Sequence, residues 1–105
     1  VITAAISPYE ETRQKARDWI EPVGTFVEVY VKASVDACAE RDVKGLYEKA
    51  FKGEIQEFTG VSDPYEEPSN PELIVDTELH EPEESAALVL AKLEELGLVR
   101  AEVAA

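Results

Sequence analysis

The chain has 105 residues and 11.6 kDa, with 45% hydrophobic and 31% charged residues, which suits one domain and falls well short of two. Ten Lys and Arg against 23 Asp and Glu give a formal charge of −13. That balance argues against a nucleic-acid binder, which needs a basic face to neutralise phosphates, and against docking on an anionic membrane. The apolar runs are too short to span a bilayer, and no basic segment followed by an apolar stretch opens the chain. Cys38 and His80 are each alone of their kind, so neither an internal disulfide nor a multi-cysteine zinc centre is expected. The reading is a soluble protein of the reducing cytoplasm.

Residues 1–6 are almost continuously apolar, the pattern of a strand covered on both faces of a parallel sheet. Ser7-Pro8-Tyr9-Glu10 follows as a helix start, with Ser7 as N-cap, Pro8 in the first helical position and Glu10 completing a capping box. Tyr9, Ala16, Trp19 and Ile20 line one side of that helix, with Tyr9 expected to pack and Trp19 to lie in a core or interface. The segment from Pro22 to Gly24 ends it. A β-branched and aromatic run over 26–31 predicts a second strand. Ser34 then caps a helix reaching about Arg41, with Cys38 as a small residue on its apolar side.

A second short helix fits 44–53. The pattern then dissolves into a long loop, through Phe58-Thr59-Gly60-Val61-Ser62-Asp63-Pro64-Tyr65 and on to Pro71, of the length that marks a lid or binding loop. Leu73 to Val75 predicts a third strand. Pro82 opens the most regular helix, with Ala86, Val89, Leu90, Leu93 and Leu96 at helical spacing and Gly97 as its stop. Residues 98–103 read as a short terminal extension. Alternating strands and helices indicate an α/β fold with a parallel sheet. A strand at the first residue, with nothing before it to protect the sheet edge, suggests a sequence that starts inside a domain.

Charge is uneven. The first 52 residues carry a net −1 and the remaining 53 a net −12, while Arg41, Lys44, Lys49 and Lys52 face only Asp42 and Glu48 over 41–52. A basic island in an acidic chain suits a small anionic ligand better than a polymer, although solvated surface lysines give the same composition.

The strings Ile6-Ser7-Pro8-Tyr9, Arg41-Asp42-Val43-Lys44-Gly45-Leu46-Tyr47, Gly53-Glu54-Ile55, Phe58-Thr59-Gly60-Val61, Asp63-Pro64-Tyr65-Glu66 and Asn70-Pro71-Glu72-Leu73 occur in this order. Together they closely resemble adenylyl-sulfate kinase, over the later three-fifths or so of that family's domain. The resemblance implies a partial P-loop kinase-like fold, a parallel sheet with flanking helices and a lid over about 41–72. It also implies transfer of the ATP γ-phosphoryl group, with Mg²⁺, to the 3′-hydroxyl of adenosine 5′-phosphosulfate. No glycine of this chain precedes a lysine, so no Gly-x-x-x-x-Gly-Lys-Ser/Thr loop is present to wrap the phosphates. In the family that loop lies upstream of the position matching Val1, and the chain by itself is therefore expected to be inactive.

By the same resemblance, Ile6 and Ser7 meet adenylyl sulfate at a strand end, where ligands of α/β sheets sit. Lys44 binds the sulfated nucleotide and, with Arg41, brings lid charge over the phosphates. Phe58 stacks on its adenine, Glu57 contributes backbone, and His80 falls where ATP's adenosine is touched, its imidazole incidental. Arg13 and Arg17 are expected to pair with nearby carboxylates or approach a partner subunit. The acidic residues Glu78, Glu81, Glu83 and Glu84 suit a helix start without a metal. Ala5, where relatives often carry an aromatic, and Ser62, in place of a common acidic residue, depart from the family pattern. A homodimer, free or joined to an ATP sulfurylase, is implied. The alternatives are a non-catalytic nucleotide-sensing domain of an ATP sulfurylase, or an inactive fragment with an open sheet edge.

Overall fold

The computed structural model describes residues 1–100. It contains α1 (Glu10–Ile20), β1 (Val29–Lys32), α2 (Val35–Arg41), α3 (Leu46–Phe51), β2 (Leu73–Asp76) and α4 (Pro82–Glu95). Two compact units share them: residues 1–26 and 34–70 form one, and residues 27–33 and those from 71 onward, as far as they are described, the other.

The second unit holds the sheet. β1 and β2 run parallel, with Val29 opposite Leu73 and Lys32 opposite Asp76. The ladder is extended at both ends: the Glu28 N–H donates to the Glu72 carboxylate at 2.6 Å, and the Thr77 N–H and hydroxyl both donate to the Lys32 carbonyl at 2.9 Å. Tyr30 and Val75 are buried. α4 packs on β2, presenting Val89 and Leu93 as half-buried residues while Ala86, Leu90 and Leu96 of the same apolar stripe remain exposed. Pro82 stands in its first turn, and Glu81 and Glu84 close a reciprocal capping box, which satisfies two N–H groups that a helix end otherwise leaves bare. Gly97, at φ 74°, follows its end as the sequence predicts.

In the first unit α2 begins as predicted, the Ser34 hydroxyl accepting from the Ala37 N–H at 3.0 Å, and packs on α3. Gly60, at φ +87°, lies so close to α2 that a Cβ there would sit 3.1 Å from Val35 Cγ2. Gly60→Ala therefore combines a left-handed backbone with a side-chain clash, and a loss of about 1–2 kcal/mol in urea unfolding is expected.

Three sequence expectations are corrected. Residues 1–6 form no strand, and Val1, Ile2 and Ile6 are exposed; an apolar run becomes a strand only on a neighbouring ladder, and the sheet described consists of β1 and β2 alone. Ser7 is not the N-cap of α1: the helix starts at Glu10, behind Tyr9. Trp19 is 77% exposed, which removes it from any core here; Tyr9 is exposed too, and Cys38 is half-buried. The extension expected over 98–103 runs outside the described residues.

Candidate functional site

Ser7 occupies a left-handed backbone conformation, φ 43°, that L-residues seldom adopt. Its carbonyl accepts a 2.5 Å hydrogen bond from the Arg13 guanidinium, which also donates to the Glu66 carbonyl at 2.6 Å and pairs with the Glu10 carboxylate. Arg13 is buried, and its guanidinium carbon lies 5.9 Å from the Tyr65 ring centroid. Glu66 completes the junction: its N–H donates to the Pro8 carbonyl at 2.8 Å, and its carboxylate accepts from the Glu10 N–H at 2.9 Å. The cap of α1 thus comes from 56 residues away, which is why the Ser7 box predicted from local sequence does not form. Arg13 and Arg17 pair with carboxylates as expected, Arg17 with Glu21 at 3.1 Å while its guanidinium stands 4.8 Å from the Phe26 ring centroid.

Hydrogen bonds from Gln14, Arg13 and Ser69, in that order of effect, hold the Glu10 carboxyl down from the ordinary 4.5 to about 2. Above pH 4.5 Glu10 is ionised in folded and unfolded chains alike, and its contacts act in full. As the pH falls towards about 2, the unfolded chain takes up the proton first, so stability is lost through that window. Acid unfolding followed by circular dichroism should accordingly show a shallower decline between pH 4.5 and 2 for Glu10→Gln than for the parent chain.

The basic island is organised by Asp42. At φ 20° it ends α2, and its two carboxylate oxygens accept from the N–H groups of Tyr47 and Glu48 at 2.9 and 3.1 Å, capping α3 from outside the helix. Gly45, in the left-handed region at φ 67°, makes the turn between them. Arg41 and Lys44, on either side of this joint, are both exposed. Lys52 is tied to Glu48 at 2.9 Å.

Phe58 stands at the base of a tight turn. Its carbonyl accepts from the N–H groups of Val61, Ser62 and Asp63 at 3.1, 2.9 and 3.0 Å, and its own N–H donates to the Ser62 hydroxyl at 2.6 Å. Ser62, the departure from the family pattern, is therefore a structural member of the turn. Glu57, just before it, is exposed with φ 55°. The half-buried Phe58 ring meets Tyr47 of α3, centroids 4.9 Å apart and planes at 75°. Burial first, then a side-chain hydrogen bond to Cys38, raises the Tyr47 hydroxyl above its ordinary value.

Ser7, Asp42 and Glu57 are the non-glycine residues with positive φ among those described. Each is, or adjoins, a residue singled out from the sequence, and strained backbone of this kind collects at functional sites. Ile6 is exposed beside Ser7. His80 lies in the sheet-bearing unit, in the turn after β2, where its N–H donates to the Asp76 carbonyl at 3.2 Å and its Nδ1 is 3.8 Å from the Glu84 carboxylate. Sequence reading missed Tyr47 and Asp42; an Asp a few residues ahead of a helical run is a capping signal that marks the latter.

Among the described residues no group of three or more His, Cys, Asp or Glu is placed to hold a metal ion, and the sequence contains no lysine-bearing phosphate loop. No described helix is long and apolar enough to cross a membrane.

The parallel sheet and the helices are those of an α/β protein of P-loop kinase type, as a structural comparison bears out. An APS kinase from Mycobacterium tuberculosis, solved in complex with AMPPNP and APS, superposes with a TM-score of 0.78 and 40% identity over 86% of this chain and 52% of that one. Residues 1–76 match the adenylylsulphate kinase family model, and the chain belongs to that family. An adenylyl-sulfate kinase of Rippkaea orientalis is 52% identical over 99% of this chain and 56% of its own length. A probable bifunctional SAT/APS kinase of Sorangium cellulosum is 54% identical over 93% of this chain and 16% of its own. The chain thus spans about half the length of the single-function relative.

Proposed function

We propose that this chain provides the sulfated-nucleotide-binding and lid portion of an adenylyl-sulfate kinase, which transfers the γ-phosphoryl group of ATP to the 3′-hydroxyl of adenosine 5′-phosphosulfate, forming 3′-phosphoadenylyl sulfate and ADP. The observation that carries this reading is the Phe58 turn: main-chain hydrogen bonds fix the backbone under an aromatic ring in a polar loop, in a family member whose solved relative holds APS. In this reading residues 41–72 are the lid. Phe58 stacks on the adenine, with Glu57 contributing main chain. Ile6 and Ser7 meet the nucleotide beside the Arg13 junction, and His80 lies against the adenosine of ATP.

Lys44 and Arg41 act by charge. Phosphoryl transfer spreads negative charge over the transferred group, and exposed cations on a closing lid stabilise it without taking part in a bond. These 105 residues hold no lysine-bearing phosphate loop, so the chain by itself binds without transferring. A homodimeric cytoplasmic enzyme, free-standing or joined to a sulfurylase as in the Sorangium relative, completes the proposal.

The test exchanges this chain for the matching stretch of the Rippkaea orientalis kinase. The chimera is expected to turn over, and Lys44→Ala within it to lower kcat by about 10- to 100-fold, somewhat less than the loss from deleting a buried oxyanion donor. A folded chimera without activity, or unchanged kinetics in the Lys44 variant, contradicts the assignment.

A further inference from the structure

Phe58 is locked at its backbone by the turn, and its ring meets that of Tyr47. We propose that Tyr47 is a positioning residue for the sulfated adenylate, acting through Phe58. This rests on the proposed stacking role of Phe58 and extends it.

Planes at 75° with centroids 4.9 Å apart make an edge-to-face pair, an arrangement favoured by the ring quadrupoles. Whichever ring presents its edge, at least one face of Phe58 stays outside the pair. Tyr47 is suited to this task because it is held at two points. Its N–H is capped by the Asp42 carboxylate, and its side chain is half-buried in the first turn of α3. Asp42 also lies between Arg41 and Lys44. One joint thus sets both the cations of the basic island and, through Tyr47, the ring that receives the base. An aromatic held at a set angle has little rotamer freedom left to lose when a ligand stacks on it.

The experiment titrates adenosine 5′-phosphosulfate into the full chain by calorimetry, for the parent, Tyr47→Leu, Tyr47→Phe, Phe58→Ala and the Tyr47→Leu/Phe58→Ala double variant, with folding checked by circular dichroism. Tyr47→Leu is expected to raise Kd by about three- to tenfold, the size of an aromatic pair. Tyr47→Phe, which keeps the ring edge, should return Kd to within about twofold of the parent, the measurement scatter that separates coupled from independent sites. The double variant should bind no more weakly than Phe58→Ala alone. An unchanged Kd in Tyr47→Leu, or the same factor whether or not Phe58 is present, overturns the positioning role and leaves the stacking role standing. An unchanged Kd in Phe58→Ala, or a parent chain that does not bind, overturns both.

Discussion

Replacing Arg13 by Met is expected to cost about 3 kcal/mol of stability. Hydrogen bonds to a charged donor are worth about 1.5–3 kcal/mol each, and orphaning one partner of a buried ion pair about 3–5 kcal/mol. Arg13 makes two of the former, to the Ser7 and Glu66 carbonyls, and one pair with Glu10. The full sum does not apply, because the Glu10 side chain is 27% exposed and water replaces part of what it loses. Small domains have only about 5–15 kcal/mol in total, so the effect is a substantial part of the fold. Arg13→Lys should recover part of it, since one ammonium cannot reach all three acceptors with the geometry of a planar fork. Urea unfolding at neutral pH measures both variants. Hydrogen exchange at the Glu66 amide, which donates to Pro8, should quicken in parallel. A midpoint shift equivalent to less than about 0.5 kcal/mol, the scale of an ordinary surface substitution, would show that the junction is held by other contacts.

That junction also marks where sequence reading stops. α2 and α4 were legible because their signals are local: Ser34 precedes the run it caps, and Pro82 and Gly97 bracket theirs. β2 was legible as a short apolar run. The strand expected over 1–6 and the Ser7 cap failed for one shared reason, that both depend on groups distant in sequence. A strand needs a partner ladder, and the α1 N-terminus takes its cap from Glu66. Trp19 and Ile20 lie along one side of α1 as the spacing requires, but periodicity says which residues share a face and not what covers it. The basic island, the long loop and Phe58 were visible as composition and as family strings. The strained backbone at Ser7, Asp42 and Glu57, and the pairing of Tyr47 with Phe58, are three-dimensional facts with no local signature.

Phe58→Ala should weaken adenosine 5′-phosphosulfate binding by about 10- to 100-fold while leaving the KM for ATP within about threefold, because stacking one base on an aromatic is worth roughly 1–3 kcal/mol. The competing account is that Phe58 only anchors the loop. Backbone geometry separates the two. The turn is closed by the Phe58 carbonyl and N–H, groups that survive truncation of the side chain, so the alanine variant keeps the turn and loses the ring. An anchor would therefore reveal itself as a drop in unfolding midpoint with both nucleotides affected alike, whereas a stacking platform gives selective loss for the sulfated nucleotide. Phe58→Tyr sharpens the contrast. It retains the π-face and should bind nearly as the parent does, even though the added hydroxyl changes how the half-buried ring packs. Steady-state kinetics of the Rippkaea chimera with each substrate varied in turn reads both arms, and equal increases in the two KM values in Phe58→Ala would assign the ring to the scaffold.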